Sequence, residues 1–319
     1  MQPMTQRFTQ ELRKLERDSH DKCSSCGRSF HEADTAHAGY SINGAPLYVG
    51  DCCEAHLAET AARYYWQPRA YEIPEAEAPL WRYMDFSKFV ALLKDQALYF
   101  ARADSLGDRW EGAKGIASNK SKWDEHYLQF FRDGFRNPPP GADFNISEEQ
   151  IEKEAQRLLC ELGAAGEHDI RTTYVSCWHE GNVESEALWR LYCPPQSAGI
   201  AIRTTFSALN VSLGDDPSIR IGRVRYIDFR KTFAGVNDAI FRKRQSLGHE
   251  KEVRAVIRRF EPSEGLGILR PVELPQLLKT VVVSPFAPPW LEVVLRETMS
   301  RFGVHAPTAA SELILEPFF

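Results

Sequence analysis

The spacing of hydrophobic positions changes along the chain, and each change marks an element. Phe8, Leu12 and Leu15 recur at helical spacing among charges, which predicts a short amphipathic helix over residues 4–17. Residues 66–79, WQPRAYEIPEAEAP, carry three prolines and little periodicity, so they read as an extended linker. Beyond it LWRYM is strand-like. Phe86, Phe89, Val90, Leu92 and Leu93 follow at helical spacing, and residues 97–101 form a second apolar strand, giving a β-α-β outline. Residues 117–170 predict a helical insertion of two helices divided by RNPPPGADFN, with a cap signal at Ser147 to Gln150 before IEKEAQRLLCELG. Short β-branched segments come next: TTYVSCW, AGIAIRT, IGRVRYIDF, EVRAVIRRF and KTVVVSPF. Leu291, Val294, Leu295 and Met299 then share one face of a final helix. The pattern predicts an α+β fold with an antiparallel or mixed sheet. Three parts are expected: residues 1–66, a linker at 67–79, and residues 80–319.

The composition narrows the class. With Lys plus Arg at 39 against Asp plus Glu at 44, the formal charge is -5, so no global basic field gathers nucleic acid or anionic membrane. No apolar run is long enough for a membrane span, and the first 18 residues lack the apolar stretch of a signal peptide. A cytoplasmic protein is therefore expected. Neither a Gly-x-x-x-x-Gly-Lys-Ser/Thr loop nor a Gly-x-Gly-x-x-Gly turn occurs, which argues against nucleotide binding through those folds.

Four of the seven cysteines, Cys23, Cys26, Cys52 and Cys53, crowd into one segment, a pattern that suits a metal site in a reducing compartment. Cys23-x-x-Cys26-Gly27 is a knuckle whose tight turn aims two thiolates at one point. A hairpin around Asn43-Gly44 is expected next, and then a helix capped by Asp51 that places Cys53 and His56 on one face. Cys52 with His56 is the competing pair. Knuckle, hairpin and helix resemble a treble-clef zinc finger over residues 22–66. That resemblance implies a structural Zn2+ held by Cys23, Cys26, Cys53 and His56.

Three further blocks set polar residues beside aromatic ones, as pocket linings do: LWRYMDFSKFVALLKDQALYFARADSLGDRWEG, YVSCWHEGNVESEALWRLYCPPQSAGIAI and FRKRQSLGHEKEVRAVIR. Tyr83, Arg102, Asp108 with Glu111, Ser185 with Trp189 and Tyr192, and Lys243 before Glu250, Glu252 and Arg254 resemble the domain of unknown function 2971 family of bacteria and phages over residues 80–303. Gly107 and Arg109 depart from the Asn and Pro usual in its turn.

The same layout is similar to ADP-ribosyltransferases, which implies a split sheet that grips NAD, a macromolecular acceptor, protein or nucleic acid, and a toxin, phage or defence setting. On that likeness Glu252 holds the ribose 2′-hydroxyl, and Glu250, expected two residues away on one strand face, orients or deprotonates the acceptor. Arg82 or Arg102 would bind pyrophosphate or ribose, and Tyr83, Trp178 or Trp189 would stack on nicotinamide.

Blander readings compete. Glu250, Glu252 and Arg254 also fit a solvated charged strand, the aromatic residues a core, and Arg102, Asp108 and Glu111 an ion-pair network. Two other functions fit the same residues. One is a non-catalytic zinc-containing module that senses a nucleotide or binds protein or nucleic acid. The other is a magnesium nuclease built on Asp108, Glu111 and Glu252.

Overall fold

The computed structural model describes residues 13–14, 22–31, 34–40, 46–56, 67–68, 71–137, 146–193, 197–216, 218–235 and 239–318. The chain divides into two compact units, each discontinuous in sequence. Met1–Ala70, Trp110–Arg171 and Ile227–Arg242 form one, and Tyr71–Arg109, Thr172–Tyr226 and Lys243–Phe319 form the other.

In the first unit a small sheet is built from β1 (Arg13–Lys14), β2 (Thr35–Tyr40), β3 (Pro46–Gly50) and β4 (Gln67–Pro68). Arg13 and Lys14 pair antiparallel with Ala36 and Thr35, so the helix expected at 4–17 is interrupted by strand; its other residues lie outside the described ones. The prolines at 66–79 do not make that whole segment a linker either, because Gln67 and Pro68 pair with Tyr40 and Gly39. The Asn43-Gly44 turn lies outside the described residues.

The insertion folds as helices Lys120–Arg136 and Glu148–Thr172. The second starts in a capping box: Gln150 N–H donates to Ser147 Oγ at 3.3 Å, and Ser147 N–H donates to Gln150 Oε1 at 2.8 Å. Ser147→Ala should cost about 1 kcal/mol, read as a drop in the thermal midpoint.

The second unit holds a mixed nine-stranded sheet: β5 (Pro79–Asp85), β6 (Ala97–Arg102), β7 (Thr173–Glu180), β8 (Gly199–Thr205), β9 (Arg220–Arg223), β12 (Glu252–Arg258), β13 (Gly267–Pro271), β14 (Thr280–Val283) and β15 (Thr308–Ala310). Two short strands, β10 (Arg225–Ile227) and β11 (Arg242–Arg244), lie outside that sheet. Only β15 runs parallel to its neighbour, β14. The β-α-β opening comes from local signals. Asp85 accepts the Lys88 N–H and starts helix Phe86–Asp95, and Gln96 at φ 47° turns the chain back into β6.

The pairing of β7 positions everything that follows. One edge is fully occupied by β12, from Glu252 opposite His179 to Arg258 opposite Thr173. The other edge is shared: β5 pairs only with Glu180 and His179, and β6 only with Val175 and Tyr174. Ser176, Cys177 and Trp178 thus have no strand beside them on that edge, and the sheet is split there. Directly opposite residues project from the same face, so Trp81, His179 and Glu252 form one row on one face. Leu80, Met84, Tyr174, Trp178, Val253 and Ala255 point to the other face and build the main core with Phe89, Leu92 and Leu93. Leu188, Trp189, Cys193 and Val282 pack with Trp81 and Tyr83 in a smaller core on the first face.

Candidate functional site: a split-sheet cavity and a cysteine cluster

A cavity of about 900 Å³ opens at the split, lined among others by Arg82, Tyr83, Tyr99, Cys177, Trp178, His179, Tyr192, Glu250 and Glu252. Both faces of the sheet contribute because the missing strand pairing leaves a passage between β5 and β6.

On one face the charges are concentrated at the start of β12. Glu252 is 6% exposed, and Arg254, 0% exposed, donates to it twice, Nε to Oε1 at 2.8 Å and Nη2 to Oε2 at 3.2 Å. Lys243 Nζ lies 3.1 Å from Glu252 Oε2 and 2.6 Å from Glu250 Oε2. Burial alone would raise the carboxyl pKa, but Arg254, Lys243 and the nearby Cys177 thiol together hold it well below the usual carboxylate range. Glu252 is therefore a carboxylate at neutral pH on the wall of the cavity. Its backbone N–H donates to Tyr226 Oη at 2.8 Å, which fixes the strand end that carries it.

Glu250 is not on that strand. It closes a 3₁₀ turn over Gln245–Glu250, and Lys251 at φ 39° separates the two glutamates, so the expected shared strand face does not exist. Their carboxylates meet on Lys243 instead.

On the other side of the split Arg82 donates Nη1 to Ser176 Oγ at 2.5 Å and Nη2 to the Tyr99 carbonyl at 3.2 Å, and its guanidinium lies 5.5 Å from the Trp178 ring centre. Burial pulls its pKa down. No carboxylate comes within ion-pair distance of Arg82 among the described residues, so it presents an unneutralised cation to the cavity.

Tyr83 faces the glutamate side. Its hydroxyl accepts the Ser185 N–H at 2.8 Å and its ring meets Trp189 edge-on at 4.8 Å. Burial raises the Tyr83 phenol pKa, and burial with the charges of Glu250, Cys177 and Glu252 pushes Tyr192 up to about 12, so both stay neutral donors or acceptors.

Glu252, Glu250, Arg82, Tyr83 and Trp178 therefore share one cavity, whereas Arg102 and Trp189 do not line it. Register explains Arg102. It sits opposite Tyr174 at the far end of β7, where it pairs with Asp104 at 2.7 Å and donates to the Gly265 carbonyl. Trp189 is fully buried behind Tyr83, its indole N–H donated to Glu184. Sequence spacing gives no signal for Lys243 or His179 beside Glu252, although Lys243 stands in the same motif. Asp108 is held by Arg244 at 3.0 Å, and among the described residues the one group of three or more His, Cys, Asp or Glu side chains that converges is a cysteine cluster, so the carboxylate triad of a nuclease does not assemble.

That cluster unites Cys23, Cys26, Cys52 and Cys53, whose sulfurs all lie within 4.8 Å of one another. The knuckle is closed by Gly27 N–H donating to the Cys23 carbonyl at 2.8 Å, with Gly27 at φ 75°, and Gly50 N–H points at Cys23 Sγ at 3.5 Å. The expected α-helix after the hairpin is a 3₁₀ segment, Asp51–His56, broken at Cys53 (φ -129°). The break lets the sulfurs of adjacent Cys52 and Cys53 both reach the cluster, whereas neighbours in a regular helix do not face the same side. The side chain of His56 lies outside the described residues.

Although burial raises the Cys23 thiol, the amides of Cys26, Gly50 and Ser25 bring it down to about 7, while burial and neighbouring thiols push Cys52 up to about 12. Four thiols this close cannot all ionise without a cation, and four convergent sulfurs with a knuckle amide suit tetrahedral zinc.

No protein-family model matches the chain, and no curated protein does. Two solved structures are similar to it. Thermus sp. 2.9 DarT in complex with carba-NAD+ is 10% identical with a TM-score of 0.34, covering 75% of this chain and 97% of that one. Thermus sp. 2.9 DarT in complex with ADP-ribosylated ssDNA is also 10% identical at 0.34, covering 77% and 99%. No helix among the described residues is long and apolar enough to cross a membrane.

Proposed function

We propose that the second unit is an NAD-dependent ADP-ribosyltransferase-like enzyme acting on a macromolecular acceptor, protein or nucleic acid, and that the cysteine cluster is a structural zinc site. The observation that carries the first reading is the ionised, buried Glu252 on the wall of a cavity that also presents the unneutralised Arg82. Breaking the bond between nicotinamide and ribose develops positive charge on the ribose ring, which a fixed carboxylate stabilises. A guanidinium lacking a carboxylate partner suits the NAD pyrophosphate. Glu252 would bind the ribose 2′-hydroxyl through Oε1, because Oε2 already accepts from both Lys243 and Arg254. Arg82 would hold the phosphates, and Trp178 or Tyr83 would offer a ring face to the nicotinamide. Arg102 and Trp189 would act from outside the cavity by supporting β6 and the Tyr83 ring.

At the cluster the residues that fit zinc are Cys23, Cys26, Cys53 and Cys52, with Cys52 in the place first expected for His56. Bound there, zinc would supply cohesion to a segment too small to build its own core.

Incubating the full chain with labelled NAD and a bacterial lysate, wild type beside Glu252→Gln, tests the enzyme reading. Nicotinamide release or label transfer that is lost in the variant is expected. An intact wild-type protein that consumes no NAD would turn the assignment toward a nucleotide-binding module.

A further inference from the structure

We infer that His179, rather than Glu250, takes the proton from the acceptor, an inference that rests on the enzyme reading above. His179 lies in the row Trp81, His179, Glu252 across three adjacent strands, so it is the direct cross-strand neighbour of the carboxylate assigned to the ribose. Its ring lines the cavity, 6.4 Å from the Tyr83 ring.

The imidazole is oriented. Nδ1 lies 2.6 Å from the backbone carbonyl of Glu250, and a carbonyl can only accept, so Nδ1 carries the hydrogen and Nε2 keeps its lone pair. Position 181 is glycine, and a Cβ there would stand 2.8 Å from Nε2, so any other residue would crowd that nitrogen. Burial lowers the pKa of His179, favouring the neutral ring; the Glu250 carbonyl and Glu180 pull the other way, and Lys251 adds to the lowering. The polar and charged groups that share this face on the neighbouring strands include Cys177, Tyr83, Arg203, Glu252 and Arg254, with Lys243 and Glu250 beside Glu252.

Glu250 is a poor competitor. Its carboxylate is ion-paired with Lys243 at 2.6 Å and only 13% exposed, so its negative charge is already used.

The step balances. The ribose C1′–nicotinamide N bond breaks with its electron pair going to nicotinamide, which leaves neutral. The acceptor X–H attacks C1′, the X–C1′ bond forms, and the proton moves from X to His179 Nε2. Water serves as X when no macromolecule is present, so nicotinamide release from NAD alone reports the same step.

The test uses the full chain with NAD as the probe, following nicotinamide release from pH 5 to 9 and NAD binding by calorimetry. His179→Ala should lower kcat roughly 100-fold, a general-base effect, while NAD affinity is retained. Added imidazole should restore part of the rate. The wild-type profile should fall on its acid side as Nε2 is protonated, and that limb should vanish in the variant. His179→Asn keeps an N–H for the Glu250 carbonyl but supplies no basic nitrogen, so it should fold and be equally slow. Wild-type rate and an unchanged acid limb in both variants would overturn the assignment. So would loss of NAD binding in step with turnover, which marks a structural role. A wild-type protein that binds and consumes no NAD brings down the enzyme reading itself, a result separable from either of these.

Discussion

Glu252→Gln is expected to cost the protein both turnover and stability. The glutamine keeps the shape of the side chain but removes the charge that offsets Arg254 and Lys243, two cations buried with it. Removing one partner of a buried ion pair costs about 3–5 kcal/mol, because the charge that offsets the desolvation of Arg254 is lost. In a unit of this size that is a fall of the thermal midpoint on the order of 10 °C. Nicotinamide release should fall roughly 10²–10³-fold, the scale of losing one electrostatic contact to a developing charge. The two effects separate in a double variant. Adding Arg254→Met removes the other member of the ion pair, so much of the stability should return while turnover stays lost.

The pH dependence carries the same signature. A carboxylate whose folded pKa lies below its unfolded value contributes stability above about pH 4.5, and that contribution is lost as pH falls toward the folded pKa of about 2. Wild type should therefore lose stability between these limits more steeply than Glu252→Gln. Parallel acid-unfolding curves would show that the Arg254 clamp does not hold the carboxylate ionised.

The second large effect lies at the cysteine cluster. Purified protein should carry about one zinc per chain, and a strong chelator should unfold the segment around residues 22–56. Free energies of order 10–16 kcal/mol are typical where structural zinc and folding are coupled. Cys52→Ser should weaken zinc retention as much as Cys26→Ser does, while His56→Ala should leave it unchanged. Equal retention in Cys52→Ser and loss in His56→Ala would restore the three-cysteine, one-histidine ligand set. A folded protein free of metal would remove the zinc site altogether. Proteolysis of the chelated chain and metal analysis of each variant read these outcomes.

How much of this could be read from the sequence depended on the range over which each signal acts. Local patterns carried well. The Ser147 cap signal, the helical spacing from Phe86 to Leu93 and the β-branched runs give helices and strands near their observed bounds, since capping and periodicity act over a few residues. The mixed sheet itself was expected, but the division of one edge of β7 between β5 and β6 is a pairing across about 75 to 100 residues that no local pattern encodes. That division decides which aromatic residues face the cavity. Trp178 and Trp189 look alike in the sequence, yet one sits on β7 at the split and the other on a helix sealed behind Tyr83. Alternation misleads at Glu250, because Lys251 takes a left-handed conformation and the strand begins only at Glu252. The same kind of local departure, a non-helical Cys53, brings Cys52 into the cluster. The relevance of His179 comes from its register against Glu252, which no local pattern shows.

The most direct test of the account is a crystal structure of the full chain with an NAD analogue whose nicotinamide–ribose bond cannot break. The account predicts the analogue in the split between β5 and β6, its nicotinamide-ribose 2′-hydroxyl within hydrogen-bond distance of Glu252 and its pyrophosphate on Arg82. An analogue bound elsewhere, or one that leaves Glu252 in contact only with Arg254 and Lys243, would contradict it.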